Sequence, residues 1–498
     1  MSKGVTVKMD DKKDLQKDLK LERKLNPLNV WALALGSIIG WGAFVMPGTT
    51  FLPKAGTLGT FIGMSVGALI MITIAMCYGY MIQKCPVAGG EYTFAANSFG
   101  KKHAYICGWF LSLSYLAIVP LNATALGLVS RKLLGGLLEV GYLYSVAGWD
   151  IYAGEIVLAS LALIIFGALS IKGISVAGWM QTVMTLALVA SVIVLVIATI
   201  MNTEAEFSNL SPAVPEGKST FAAVISIVAV APWAFVGFDS IPQAAEEFNF
   251  SPKKANGIMV IAILFGGFVY VALNTITASV MPWEEMLAKG YDWPTGEAVE
   301  IIMGKAGLVF LGIALICAVL SGIMGFYMAT SRLLYSMARG KALPSWFAKI
   351  DEKHKTPKNA IIFVMIISLT APWFGREVLG WIVDMSSIGA AIGYGYTCLS
   401  TLKTLFARIL RKGSRYSRAC RCWGLVFRRF SWCFSWCRGC LHIWPLSPEF
   451  VWSCGLCWAS SFTYCRETAR REMAQEQNNG GGGEAFLIPE LYNLYNQP

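Results

Sequence analysis

The chain has 498 residues, 55% of them hydrophobic and only 14% charged, with a mean hydropathy of +0.56. That composition excludes an ordinary soluble enzyme and fits a polytopic membrane protein. The net charge of +11 is uneven: residues 1–400 hold 28 Lys and Arg against 24 Asp and Glu, and residues 401–498 hold 13 against 6, so the excess belongs to the tail and gives nucleic-acid binding little support.

Residues 1–25 interleave Lys3, Lys8, Lys12, Lys13 and Lys17 with Asp10, Asp11, Asp14, Asp18 and Glu22, which reads as a solvated cytoplasmic tail rather than a cleavable leader. Apolar stretches of about 20 residues then recur near 28–50, 58–82, 103–130, 151–171, 176–200, 221–245, 256–281, 306–330, 358–374 and 378–402. Loops on one side carry Lys84, Lys101, Lys102, Lys172, Lys253, Lys254, Arg332 and Arg339. The opposite loops are acidic around Glu204, Glu206, Glu216, Glu284 and Glu285. The positive-inside bias puts the N-terminus in the cytoplasm, with the chain in the plasma membrane; Arg131 and Lys132 are off-pattern. Glu246 and Glu247 are expected at the inner surface, paired near Lys253 and Lys254.

Two spans are interrupted. The first carries Gly36, Ser37, Ile38, Ile39, Gly40, Trp41 and Gly42, and three glycines in seven positions mark either a tight helix crossing or an opened helix. The sixth carries Ala231, Pro232, Trp233, Ala234, Phe235, Val236, Gly237, Phe238 and Asp239, where Pro232 removes a donor and Gly237 loosens the following turn. Spans one and six each begin a group of five, and an odd number of spans makes the second group enter from the opposite face. Breaks at corresponding places in two inverted halves point to a transport site. The chain therefore divides into a tail (1–25), a ten-helix core (26–402, with repeats 26–200 and 221–402) and a segment of different character (403–498).

A broken helix presents unpaired N–H groups at the start of its second half and unpaired carbonyls at the end of its first. A free amino acid complements both. The backbone of Gly36 to Gly42 suits a carboxylate, with Ser37 adding a hydroxyl, and carbonyls near Ile38 and from Ala231 to Ala234 suit the amine. Trp233 and Phe235 are candidate gates, or alternatively packed aromatics.

Four separated motifs carry a family resemblance: Gly36-Ser37-Ile38-Ile39-Gly40-Trp41-Gly42, Pro86-Val87-Ala88-Gly89-Gly90-Glu91-Tyr92, Gly237-Phe238-Asp239 through Ala245-Glu246-Glu247, and Ser331-Arg332-Leu333-Leu334-Tyr335 through Gly340 with Leu343-Pro344. Over residues 25–400 the chain resembles the amino acid, polyamine and organocation (APC) transporter superfamily. The resemblance implies an all-α polytopic membrane protein with the five-plus-five inverted-repeat fold, broken helices 1 and 6, and secondary transport of amino acids or related amines. It also implies an inner loop at Pro86–Tyr92 that partly re-enters the membrane. Neutral amino acids are the first expectation. An amino acid or polyamine exchanger, and a membrane sensor with the same fold and no flux, are the alternatives.

No cofactor is expected, and no catalytic constellation is visible; a proton or sodium is the expected coupling ion. Asp239, at a position where the resembling transporters commonly carry an acid, is the candidate for coupling or gating, against a static role in holding the broken backbone. Thr330 and Ser331 are candidate sodium ligands, or else ordinary packing hydroxyls. Some sodium-independent relatives place a lysine in span five, and none occurs between Ser175 and Ile200. The partners expected are the amino acid and the lipid bilayer.

After residue 402 the composition shifts: eleven of sixteen Arg and eight of thirteen Cys lie there, among Trp423, Trp432, Trp436, Trp444, Trp452 and Trp458. This is the pattern of a membrane-protein gene read out of frame from between about residues 400 and 415. A zinc module on Cys437, Cys440, Cys454 and Cys457 is the weaker alternative.

Overall fold

The computed structural model describes residues 21–411 apart from 147, 203–204 and 292; the proposed frame change and the four tail cysteines thus fall largely or wholly outside the described residues. Helix α1 (Pro27–Ile38) starts where its sequence favours a start. Pro27 occupies the first turn, and Asn26 and Asn29 each accept the other's backbone N–H in a capping box. The helix stops at Ile39-Gly40 and restarts as α2 (Gly42–Met46), which runs through one wide turn, Pro47–Phe51, into α3 (Leu52–Lys84). Gly56, at φ 65° and ψ −162°, is where one passage ends and the next begins. A Cβ there would lie 2.8 Å from the Ala213 carbonyl oxygen, so the bend requires glycine.

The short helix α4 (Gly90–Phe99) leads to α5 (Lys101–Leu134), and α6 (Ala153–Ile171) and α7 (Ile174–Met201) complete the first series. Between α5 and α6 lies an antiparallel hairpin, β1 (Tyr142–Val146) and β2 (Trp149–Tyr152), with Val146 opposite Trp149. The second series opens with three short pieces, α8 (Thr220–Val228), α9 (Ala231–Ala234) and α10 (Ser240–Gln243). It continues through α11 (Lys254–Ser279), α12 (Trp283–Ala288), α13 (Pro294–Arg339), α14 (Lys358–Ser368) and α15 (Gly375–Arg411). Gly304, at φ 61°, divides α13 into a short leading segment and a membrane passage.

Among the described residues six helices are long and apolar enough to cross a membrane unaided. The shorter apolar helices include Pro27–Ile38 and Thr220–Ala234, the leading parts of the two interrupted spans. The protein is an all-α polytopic membrane protein with the small hairpin as an accessory. Buried side chains concentrate along α1 and the C-terminal two thirds of α13, whereas Leu69, Trp179, Ile261 and Val309 stand exposed on outward faces, as a lipid-facing surface requires. The hairpin accounts for the off-pattern Arg131. Its guanidinium forms a two-pronged pair with Glu155 at 2.6 and 2.8 Å, donates to the Asp150 carbonyl, and lies 4.2 Å above the Trp149 ring.

Candidate functional site

The two interruptions meet. After the Ile39 N–H to Leu35 carbonyl bond (2.9 Å) and the tight Gly40 N–H to Ile38 carbonyl bond (3.1 Å), helical bonding resumes only with the Phe44 N–H to Trp41 carbonyl bond at 3.1 Å. The N–H groups of Trp41, Gly42 and Ala43 therefore head a new helix, and none has an acceptor among the described residues. On the other strand of the site, Gly237 turns the chain at φ 129°, and its N–H is taken by Asp239 Oδ1 at 2.8 Å. A Cβ on Gly237 would lie 2.5 Å from the Ser37 carbonyl carbon and 2.7 Å from the Ile38 nitrogen, so backbone touches backbone here. The Tyr270 hydroxyl, from α11, donates to the Ala234 carbonyl at 3.1 Å and lies 3.4 Å from that of Ile38, spanning both breaks.

The glycine stretch divides into two roles. Gly36 faces α7 and α13: a Cβ there would meet Gln181 Nε2 at 2.5 Å and Thr185 Oγ1 at 2.8 Å, and its carbonyl accepts the Ser321 hydroxyl at 3.0 Å. That is a packing seam. Gly40 instead faces the amide of Asn122, and Gly42 faces the Trp233 ring at 3.0 Å. Trp233 packs edge-on against Trp41 with ring centroids 6.2 Å apart, and both are half-buried beside the restarted helix. Ser37 is buried and its hydroxyl has no hydrogen-bond partner among the described residues.

Other side chains expected at the site pack away from the breaks or flank them. Phe235 is buried edge-on against Tyr270 and next to Gly267, facing α11. Ala231 packs on Gly67 of α3, and Ile38 on Gly266 of α11. Ile39 and Ala234 are buried beside the turns they flank. Thr330 and Ser331 donate to carbonyls of their own helix, Phe326 at 2.6 Å and Met328 at 3.0 Å, and Ser331 also accepts from Arg332. The α13 hydroxyl that reaches a span-one carbonyl is that of Ser321.

Asp239 has no exposure; its Oδ2 accepts the Tyr115 hydroxyl at 2.8 Å while Oδ1 holds Gly237. The carboxylate thus fixes the span-six turn from behind. Span five meets α1 with neutral donors, Gln181 Nε2 and Thr185 Oγ1, both on the Ala32 carbonyl. Residues 181 and 185 are one helical turn apart on one face, the signal that a search for charged groups passes over.

Past the span-six break Glu246 and Glu247 pair with arginines of α13, not with Lys253 and Lys254. Arg332 grips Glu247 through Nε at 3.1 Å and Nη2 at 3.0 Å with both side chains buried, and Arg339 reaches Glu246 at 3.0 Å. Arginine forks match carboxylates in a way lysines do not, and Glu247 is too deep to meet the surface. Glu246 also accepts the Ala88 N–H, Ser336 donates to the Ala88 carbonyl, and the Leu25 N–H donates to the Glu247 carbonyl. The entry to α1, the Pro86–Tyr92 loop, the end of span six and α13 are therefore tied together below the breaks.

A family model described as amino acid permease matches residues 25–443. A branched-chain amino acid permease of Bacillus subtilis is 27% identical over 400 residues, covering 79% of this chain and 82% of its own. A methylthioribose transporter of the same species is 25% identical, covering 75% and 80%. Cationic amino acid transporter 4 of Mus musculus is 23% identical over 78% of this chain and 60% of its own. Among solved structures, a closed, bromovinylhydantoin-bound Mhp1 of the nucleobase-cation-symport-1 family superposes with a TM-score of 0.51 at 17% identity, over 75% of this chain and 78% of that one. The last likeness concerns the fold.

Proposed function

We propose that this chain, which belongs to the amino acid permease family, is a secondary transporter of neutral amino acids that binds substrate between the two helix breaks and releases it by alternating access. The observation that carries the reading is the contact of the breaks themselves: Gly237 against Ser37 and Ile38, with the N–H groups of Trp41, Gly42 and Ala43 opening a helix beside them. Those donors and the positive end of the helix dipole suit the substrate carboxylate. Carbonyls at the ends of the leading halves, near Ile38 and along Ala231 to Ala234, suit the ammonium, and Trp233 is the side chain placed to cover it.

A neutral side chain follows from the acids. Asp239 is engaged by Tyr115 and the Gly237 N–H, leaving no free carboxylate at the breaks to meet a cationic substrate. The name of the Bacillus subtilis branched-chain permease agrees with that choice. For coupling, the hydroxyls of Thr330 and Ser331 serve their own helix, which favours a proton acting through Asp239 over sodium held there. The arginine–glutamate ties at the inner end close the path below the site and must part for release. With Lys84, Lys101, Lys253 and Lys254 on the same side as that end, the N-terminus lies in the cytoplasm and the chain in the plasma membrane.

Uptake by proteoliposomes tests the reading. Labelled leucine, isoleucine or valine should accumulate under an inward proton gradient, and unlabelled neutral amino acids should compete better than lysine, glutamate or putrescine. Specific binding with no flux under proton, sodium or counter-substrate gradients would contradict it and make the protein a sensor.

A further inference from the structure

Glu91 plays no part in the reading above, yet it opens α4 with no exposure to solvent. Its Oε1 accepts the Tyr78 hydroxyl at 2.8 Å and lies 3.4 Å from the Tyr115 hydroxyl, and its Oε2 accepts from Gln243 Nε2 at 2.5 Å. The same Tyr115 hydroxyl lies 2.8 Å from Asp239 Oδ2. One phenol proton thus stands between two buried carboxylates whose facing oxygens are at most about 6.2 Å apart.

The donors around this pair do not answer two negative charges. They are two phenols, one amide and one backbone N–H. Among the described residues no Lys, Arg or His hydrogen-bonds or ion-pairs with either carboxylate, and the arginines of α13, Arg332 and Arg339, are held by Glu247 and Glu246. The titratable side chains facing the pair are Tyr78 from α3, Tyr115 and Cys107 from α5, and Tyr394 from α15, all uncharged in their ordinary state at neutral pH. One further observation points to a missing donor. Gln243 Oε1, on the amide whose nitrogen holds Glu91, is buried and has no hydrogen-bond partner among the described residues. A pair of buried anions with no cation is costly in an apolar interior, and one bound proton halves the charge and supplies a donor.

We infer that Glu91 and Asp239 together hold one exchangeable proton, with the Tyr115 hydroxyl between them, and that this proton accompanies the substrate. The second clause rests on the substrate site proposed above; the first does not. The proton comes from water on the outer side, forms an O–H bond on one of the two carboxylates, and leaves to water on the inner side, with no electron transferred. Its lever on the substrate site is short. Asp239 Oδ1 holds the Gly237 N–H, and Gly237 rests on Ser37 and Ile38, so a change of charge on Asp239 changes how firmly one break is held against the other.

Infrared difference spectra of the full chain in liposomes, recorded through a pH series without substrate, test the first clause. A carbonyl band of a protonated carboxylic acid should appear, and its titration should change in Glu91→Gln and in Asp239→Asn alike, because each removes one member of the pair. No such band in the wild type at any pH where it stays folded, or a band whose titration neither substitution alters, overturns the inference. Tyr115→Phe keeps both carboxylates and covers the case in which Glu91→Gln does not fold; it should alter the same titration, and an unaltered one removes the bridging hydroxyl. Flux tests the second clause: the ratio of pH-driven accumulation to counterflow should fall at least about tenfold in Glu91→Gln. An unchanged ratio, or accumulation driven by sodium alone, overturns the proton as the coupled ion. If no amino acid moves at all, the substrate reading fails while the infrared band still decides the first clause.

Discussion

Replacing Gly237 with alanine adds a single methyl group at the place where the two helix breaks touch. The residue sits at φ 129°, where an L side chain is strained by about 1–3 kcal/mol before any contact is considered. The new Cβ would also stand 2.5 Å from the Ser37 carbonyl carbon and 2.7 Å from the Ile38 nitrogen, and neither backbone atom can move aside as a flexible side-chain tip does. Relief requires the span-six turn to retreat from span one, which separates the groups proposed to hold the carboxylate and the amine. Equilibrium binding of labelled leucine to purified protein should weaken at least about tenfold, equivalent to about 1.4 kcal/mol, together with a lower midpoint of thermal unfolding. Gly257→Ala is the control. Gly257 lies within α11 with nothing within 4 Å of its would-be Cβ, and alanine there should stabilise by about 0.5–1 kcal/mol and leave binding alone. Wild-type affinity and stability in Gly237→Ala would refute the contact of the breaks as the basis of the site.

Other substitutions probe the surroundings. Arg332→Ala should destabilise by about 3–5 kcal/mol, because it leaves Glu247 charged, buried and unpaired, and adding Glu247→Gln should recover part of that loss in the same thermal assay. Trp233→Ala removes the edge-on partner of Trp41 and the ring facing Gly42, and should raise the substrate dissociation constant about 3- to 10-fold, in line with about 0.5–1.5 kcal/mol for an aromatic pair, with little change in unfolding temperature. Arg131→Leu strands the buried Glu155 and should lower the unfolding temperature, while Arg131→Leu with Glu155→Leu should be milder than the first change alone.

The architecture was legible because lipid imposes strong rules: apolar length marks a passage, and glycine or proline inside one marks an interruption. Both interruptions lie where Gly40 and Gly237 stand. What could not be read is which neighbour each glycine meets. Gly36 and Gly42 look alike in sequence, yet one is pressed between Gln181 and Ser321 and the other faces Trp233, a difference created by helices more than 130 residues away. Charge was legible only by sign. Proximity along the chain favours Lys253 and Lys254 as partners of Glu246 and Glu247, but the fold delivers Arg332 and Arg339 instead, where bidentate geometry and depth decide. Glu91 sat in view inside a glycine-rich motif; its importance depends on Tyr115 bridging it to Asp239, a relation that only the packing of α4, α5 and span six creates. The hairpin that shields Arg131 was hidden in a loop with no membrane signal.

The most direct measurement is a structure of the protein with a bound neutral amino acid. The carboxylate is expected within hydrogen-bond distance of the N–H groups of Gly42 or Ala43, with the ammonium facing carbonyls of the two leading helix halves and Trp233 over the ligand. A substrate seated away from both breaks, with those N–H groups still unengaged, would contradict the account.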